Sequence, residues 1–212
     1  MIHRKINFVP LVSALFFTII SFVSASGDSI YNLTDDWSNS MNPNGVWSVN
    51  AGTSSLSHFE DLSTTGIDPW VNTQPGFSGL TEFGDITPVW FKSTGPLGYP
   101  VVTDWEDGDI VTHTSRWFVP NSNVTWTSDL NGKIDVLGSV WAVREYGRSN
   151  HWDLYLNGDQ LTGGIVESGD PYDRSSPFFF ELGSGGPGVL RSIPINVGDV
   201  IKLEVNQLYG FG

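Results

Sequence analysis

The stretch Trp152-Asp153-Leu154-Tyr155-Leu156-Asn157-Gly158 decides the fold. Trp152, Leu154 and Leu156 alternate with Asp153 and Tyr155, a period of two that sends the first set to a core and the second to solvent. Asn157-Gly158 then supplies two residues that tolerate positive φ, as a type I′ hairpin turn requires at both central positions.

The same pattern extends outward in both directions. Val124, Trp126, Ser128 and Leu130 alternate with Asn123, Thr125, Thr127 and Asp129, and Asn131-Gly132 reads as a second hairpin turn. Ile134, Val136, Gly138 and Val140 then share one face of the next strand. Ile110 to Val119 gives one or two strands stopped by Pro120, and Pro88-Val89-Trp90-Phe91 gives another. Asn42-Pro43-Asn44-Gly45 is a turn leading into Val46-Trp47-Ser48-Val49. Downstream, Phe178-Phe179-Phe180 reads as a buried strand, and Leu190 to Ile195 and Val200 to Val205 close the series. Past the first 25 residues no stretch has 3.6-residue periodicity with caps. Short strands punctuated by turns predict an antiparallel β-sandwich of jelly-roll type, one domain over residues 26–212. The Gly-, Ser-, Thr- and Pro-rich run from Ala51 to Gly98 reads as a long loop region, with Phe59, Trp70, Phe77 and Phe83 plugging the core.

Met1 to Ala25 has the make-up of a secretory signal peptide. His3, Arg4 and Lys5 open it, an apolar stretch runs from Phe8 to Val23, and Val23-Ser24-Ala25 offers a cleavage site before Ser26. The apolar stretch is short for a membrane span and is diluted by Pro10 and Ser13, so a membrane is met only through an uncleaved signal. Loss of Arg4 and Lys5 with that segment takes the net charge from −13 to −15. Such acidity repels phosphate backbones and argues against nucleic acid as a partner. The chain has no cysteine, so an exported domain of this size rests on its core alone. The expected localisation is secreted or cell surface.

Several fragments resemble a family of exported bacterial β-sandwich domains found in PEP-CTERM-sorted proteins. They are Asn42-Pro43-Asn44-Gly45-Val46-Trp47-Ser48, Ser115-Arg116-Trp117-Phe118-Val119-Pro120, Tyr155-Leu156-Asn157-Gly158 and Val197-Gly198-Asp199-Val200-Ile201, in that order. The resemblance implies an exported, non-catalytic sandwich similar to carbohydrate-binding modules. That family continues past the Gly-Asp-x-Ile strand with another strand and a Pro-Glu-Pro sorting signal, which this sequence does not reach by Gly212. The expectation is therefore a sandwich lacking its last strand, with the strand that should pair with the missing one exposing unpaired backbone.

Three sets of residues carry candidate chemistry. Asp104, Glu106, Asp107 and Asp109 crowd around Gly108, and closely spaced oxygen ligands suit Ca²⁺, although the spacing is not that of an EF-hand and a solvated acidic turn explains it as well. Glu145, Glu167, Glu181 and Glu204 are carboxylates of the kind a glycosidase pairs, but that chemistry needs two carboxyls facing one sugar, which sequence does not show. Glu204 alternates with core positions and reads as solvated. No Gly-x-Ser-x-Gly elbow or metal-ligand His spacing is present, so no catalytic residue is assigned.

The aromatics say more. Nine Trp is many for this length, and most read as core, Trp117, Trp126 and Trp152 among them. Trp141 and Tyr155 fall out of phase with their apolar neighbours, which places both rings outward. The polar run from Arg144 to His151 joins their strands. Trp141, Arg144, Tyr146, His151 and Tyr155 thus form the candidate glycan site, rings for a sugar face and polar groups for its hydroxyls. The expected function is a non-enzymatic glycan-binding or cell-surface structural module. The alternative is a secreted glycoside hydrolase or lyase of similar fold.

Overall fold

The hairpin at Asn157-Gly158 forms as its residues dictate, with φ of 52° and 93° at the two turn positions. It joins the two longest consecutive strands of an all-β, antiparallel sandwich, described by a computed structural model over residues 3–6, 29–59, 68–72, 87–95, 104–114, 120–143 and 147–209. In chain order the strands are β1 (His3–Ile6), β2 (Trp47–Ala51), β3 (Ser54–Ser55), β4 (Ser57–His58), β5 (Trp70–Val71), β6 (Val89–Lys92), β7 (Ile110–His113) and β8 (Ser122–Thr127). They continue as β9 (Gly132–Val136), β10 (Ser139–Val140), β11 (Ser149–Leu156), β12 (Asp159–Glu167), β13 (Phe178–Phe179), β14 (Ile193–Ile195) and β15 (Val200–Tyr209).

The larger sheet has six strands in the order β12-β11-β15-β8-β2-β3, and a second has four in the order β4-β5-β6-β7. The chain changes sheet between β7 and β8, where Thr112 and Ser122 share a buried hydroxyl hydrogen bond of 2.8 Å. Register stacks the inner face of the six-stranded sheet into layers. Trp47, Trp126, Ile201 and Leu156 lie in one row, and Val49, Val124, Leu203 and Leu154 in the next. Ala51, Ser122, Val205 and Trp152 form a third. These residues share one core with Trp70, Val71, Val89, Trp90, Phe91, Ile110 and Val111 from the other sheet. Burying six side chains as large as Trp90, Trp126, Trp141, Trp152, Phe91 and Phe180 gives a cysteine-free chain its stability, at about 1.5–3 kcal/mol for each large side chain removed from water. Trp152 meets Phe178 edge-on at 5.3 Å and Phe180 at 5.0 Å. Gly164 makes that fit possible, since a Cβ there would stand 2.8 Å from the Phe178 ring.

Several expectations are corrected. Asn131-Gly132 is not a hairpin turn: β8 pairs with β2 and β15, whereas β9 belongs to a separate small sheet with β14 and, in parallel, β1. Asn131 instead accepts the backbone N–H of Val197 at 3.0 Å. β15 lies inside its sheet, paired with β11 on one side and β8 on the other. Phe178 and Phe179 form a strand of two residues, Phe179 faces solvent, and Phe180 opens a 3₁₀ turn. Phe59 is exposed rather than a core plug, while Trp70 is buried as expected. Phe77, Phe83, Trp117 and residues 7–28, which include most of the expected signal peptide, lie outside the described residues. The β1 strand falls inside that expected signal.

Replacing Gly158 with Val puts a β-branched residue at φ 93° and should cost about 1 kcal/mol or more, read as a lower denaturant midpoint. An unchanged midpoint would contradict the turn assignment.

Candidate ligand-binding face

An antiparallel sheet packed on one side normally offers water a solvated outer face. The outer face of the six-stranded sheet departs from that rule. Cross-strand register puts Asn50, Asn123, Glu204 and Asp153 side by side on β2, β8, β15 and β11. Their exposures are 8%, 1%, 8% and 4%, so four polar residues that alternation sends to solvent are buried there. Buried polar groups on an outward face are the informative departure from the pattern.

Two carboxylates organise this face. Asp153 and Glu204 are direct register partners across β11 and β15. Asp153 Oδ2 pairs with His151 Nδ1 at 2.8 Å, its Oδ1 accepts Gln160 Nε2 at 2.5 Å, and the Tyr155 hydroxyl bonds to it as well. Glu204 Oε2 takes the Lys202 ammonium at 2.5 Å, and its Oε1 accepts the amides of Asn121 at 2.6 Å and Asn206 at 3.3 Å. The Lys202 Nζ also stands 4.5 Å from the centre of the Tyr155 ring. Burial pushes the Asp153 carboxyl above its ordinary range; the His151 charge opposes this, and the Glu204 charge adds to the rise. The Tyr155 phenol is pushed up to about 12, by burial first and then by the charges of Asp153 and Glu204. The acids lie beneath half-exposed His151, Tyr155, Lys202 and Asn206 and exposed Gln160, which bond to them from the surface.

The sequence named two members of this face, His151 and Tyr155, and missed Asp153, Gln160, Lys202 and Glu204. Glu204 was expected to be solvated and is not. Trp141 does not belong to the face. It is fully buried, and its indole N–H donates to the Asp104 carbonyl at 2.9 Å. Parity failed because β10 ends at Val140, and Ser139 to Val143 then pass through the interior with every residue buried. Arg144 and Tyr146 lie outside the described residues.

The acidic turn of Asp104, Glu106, Asp107 and Asp109 pairs with an arginine. Arg174 reaches it from the loop after β12, its Nε and Nη2 meeting the two Asp109 carboxylate oxygens at 3.1 and 3.2 Å and its Nη1 meeting Glu106 at 3.0 Å. The Arg174 backbone N–H donates to Asp104 at 2.7 Å, while Asp107 is exposed. Burial raises the Asp104 and Asp109 carboxyls, and Arg174 opposes the rise at both. This is a clasp that pins a loop. Among the described residues no group of three or more His, Asp or Glu is placed to hold a metal ion.

A small, shallow cleft of about 20 Å³ lies elsewhere, with Trp37, Trp47, Trp70, Met41 and Asp36 in its wall. Two of its indoles are held by internal hydrogen bonds: Asp36 Oδ2 accepts the Trp47 indole N–H at 3.0 Å, and the Ser38 carbonyl accepts that of Trp70 at 2.9 Å. Compared with known proteins, the chain matches no family model, no curated protein and no solved structure.

Replacing Trp141 with Ala should cost about 3–5 kcal/mol of folding stability, measured by denaturant unfolding, as for a buried Trp lost from a core. A change below about 1 kcal/mol would mean that the ring is exposed after all.

Proposed function

We propose that this protein is an exported, non-enzymatic module that binds a glycan on the outer face of its six-stranded sheet. One observation supports the reading most. A row of exposed and half-exposed donors and one phenol ring is held in place by buried carboxylates, which is costly for a face meant only to meet water. The donors come from three neighbouring strands about 4.8 Å apart, so they span the width of a sugar or two and match hydroxyl and ring oxygens. One face of Tyr155 is covered by Lys202, so a sugar ring stacks on the other. Export is supported by the charged start, the short apolar stretch and Val23-Ser24-Ala25. The resemblance to carbohydrate-binding sandwiches points the same way.

Affinity is weak on an open platform, because hydroxyl desolvation offsets much of each new hydrogen bond. A glycan array should give a selective set of hits. Tyr155→Ala and Lys202→Met should each weaken the leading hit by roughly tenfold or more, as for an anchor worth about 1–3 kcal/mol. A silent array would leave a structural surface module, and hits unaffected by both changes would move the site elsewhere.

A further inference from the structure

The small cleft walled by Trp37, Trp47 and Trp70 shares no residue with the proposed glycan face and carries a chemistry of its own. Its side-chain donors are largely spent inside the protein. The indole N–H groups of these three residues go, in order, to Asn39 Oδ1 at 2.5 Å, Asp36 Oδ2 at 3.0 Å and the Ser38 carbonyl at 2.9 Å. Asn42 gives its amide to the Val49 and Leu56 carbonyls at 2.7 and 3.0 Å, and Asn44 gives one hydrogen to the Asp36 carbonyl at 2.8 Å. The Ser48 hydroxyl donates to Asn50 at 2.8 Å. What the lining leaves over is chiefly aromatic surface, the Met41 thioether and one carboxylate oxygen. Asp36 takes the Trp47 indole and the Asn32 backbone N–H, at 3.1 Å, on its Oδ2, while its Oδ1 accepts no hydrogen bond among the described residues. Among those residues no lysine, arginine or histidine lines the cleft, and Lys92 is spent on the Thr34 carbonyl at 2.8 Å. Such a lining is short of donors for an anion and suits a cation, which indoles attract through the ring quadrupole and a carboxylate binds by a charge-assisted hydrogen bond. With each indole N–H tied down, the rings are fixed before a ligand arrives, which lowers the cost of ordering them.

Size narrows the cation. A water molecule needs about 10–15 Å³ of such space, so about 20 Å³ admits one group of that size. A sugar ring is too large, and so are a trimethylated ammonium and the planar guanidinium of arginine. A primary ammonium fits when it comes on a slender stem, as it does at the end of the four-carbon chain of lysine. Met41, 58% exposed, offers apolar surface to that stem. The net charge of −13 draws a basic surface toward the chain. We propose that this cleft is a docking point for a lysine side chain on the surface of a partner protein, its ammonium held by Asp36 Oδ1 and the indoles of Trp37, Trp47 and Trp70. The glycan reading of the six-stranded sheet and this one stand on different residues.

The test titrates Nα-acetyl-lysine amide into the full chain and follows the assigned indole N–H signals by magnetic resonance. Expected is a saturable shift of the Trp37, Trp47 and Trp70 signals, with the millimolar affinity of a single side chain. Nα,Nε-diacetyl-lysine amide has the same stem without the charge and should bind at least ~tenfold more weakly. Asp36→Asn keeps an acceptor for the Trp47 indole and removes the charge, and it should weaken the lysine probe by a similar factor. The comparison of the two probes uses the unaltered chain, so it stands even where that variant fails to fold. Equal binding of the two probes overturns the cation reading. Glucosamine binding here more tightly than the lysine probe overturns lysine as the source of the ammonium. Shifts confined to other residues, or none at all, overturn the site. Tyr155→Ala should leave the lysine titration unchanged, so a failure here and a failure of the glycan reading are told apart.

Discussion

The pairing of β15 between β11 and β8 is the constraint on which the rest depends. With a side-chain period of two, one register decides both faces of a strand at once. The register that sets Leu203 between Leu154 and Val124 in the core also sets Glu204 between Asp153 and Asn123 outside. A slip of one residue would carry the acids into the Trp-rich interior and the aliphatic residues into water. The apolar face therefore fixes the placement of the polar one, and the polar groups need contribute little to folding themselves.

That matters because the outer row is expensive. A hydrogen bond adds about 0.5–1.5 kcal/mol net, while a buried polar group left without a partner costs about 1–3 kcal/mol. Both Asp153 oxygens and both Glu204 oxygens are engaged, so the row comes close to breaking even. The Lys202–Glu204 pair is partly exposed on the lysine side, and as an ion pair alone it would be worth little. The Arg174 clasp follows the same logic at another place. It resolves an acidic turn by internal pairing, and it ties the loop carrying Tyr172 to the body, where Tyr172 stacks on Phe178 at 4.4 Å and Phe178 meets Trp152.

Local pattern made much of this fold legible. Alternation located β8, β11 and β15, and Asn157-Gly158 located the hairpin, because both signals act within a few residues. Asn131-Gly132 carried the same dipeptide and misled, since a turn's chemistry permits a hairpin but only pairing makes one. Trp141 misled because parity holds only while the strand lasts, and β10 is two residues long. Of the face, His151 and Tyr155 were visible. Asp153 and Glu204 were hidden by distance along the chain: each looked like an ordinary outward carboxylate, and their meeting depends on a pairing across about 50 residues that neither local pattern encodes. The acidic turn looked like a cation site for the same reason, its partner Arg174 lying 65 residues beyond Asp109.

The account's central claim is that the outer row is a buried, charged network rather than a solvated face, and the Tyr155 phenol reports on it directly. Burial and the charges of Asp153 and Glu204 push that phenol up to about 12. The folded chain then keeps a proton that the unfolded chain loses near pH 10, so this contribution to stability is full below pH 10 and falls as pH rises toward 12. Ultraviolet titration of the full chain against Tyr155→Phe isolates this tyrosine. The account predicts that the variant lacks one phenol titrating near 12, whereas a difference spectrum titrating near 10 would show Tyr155 in water and contradict it.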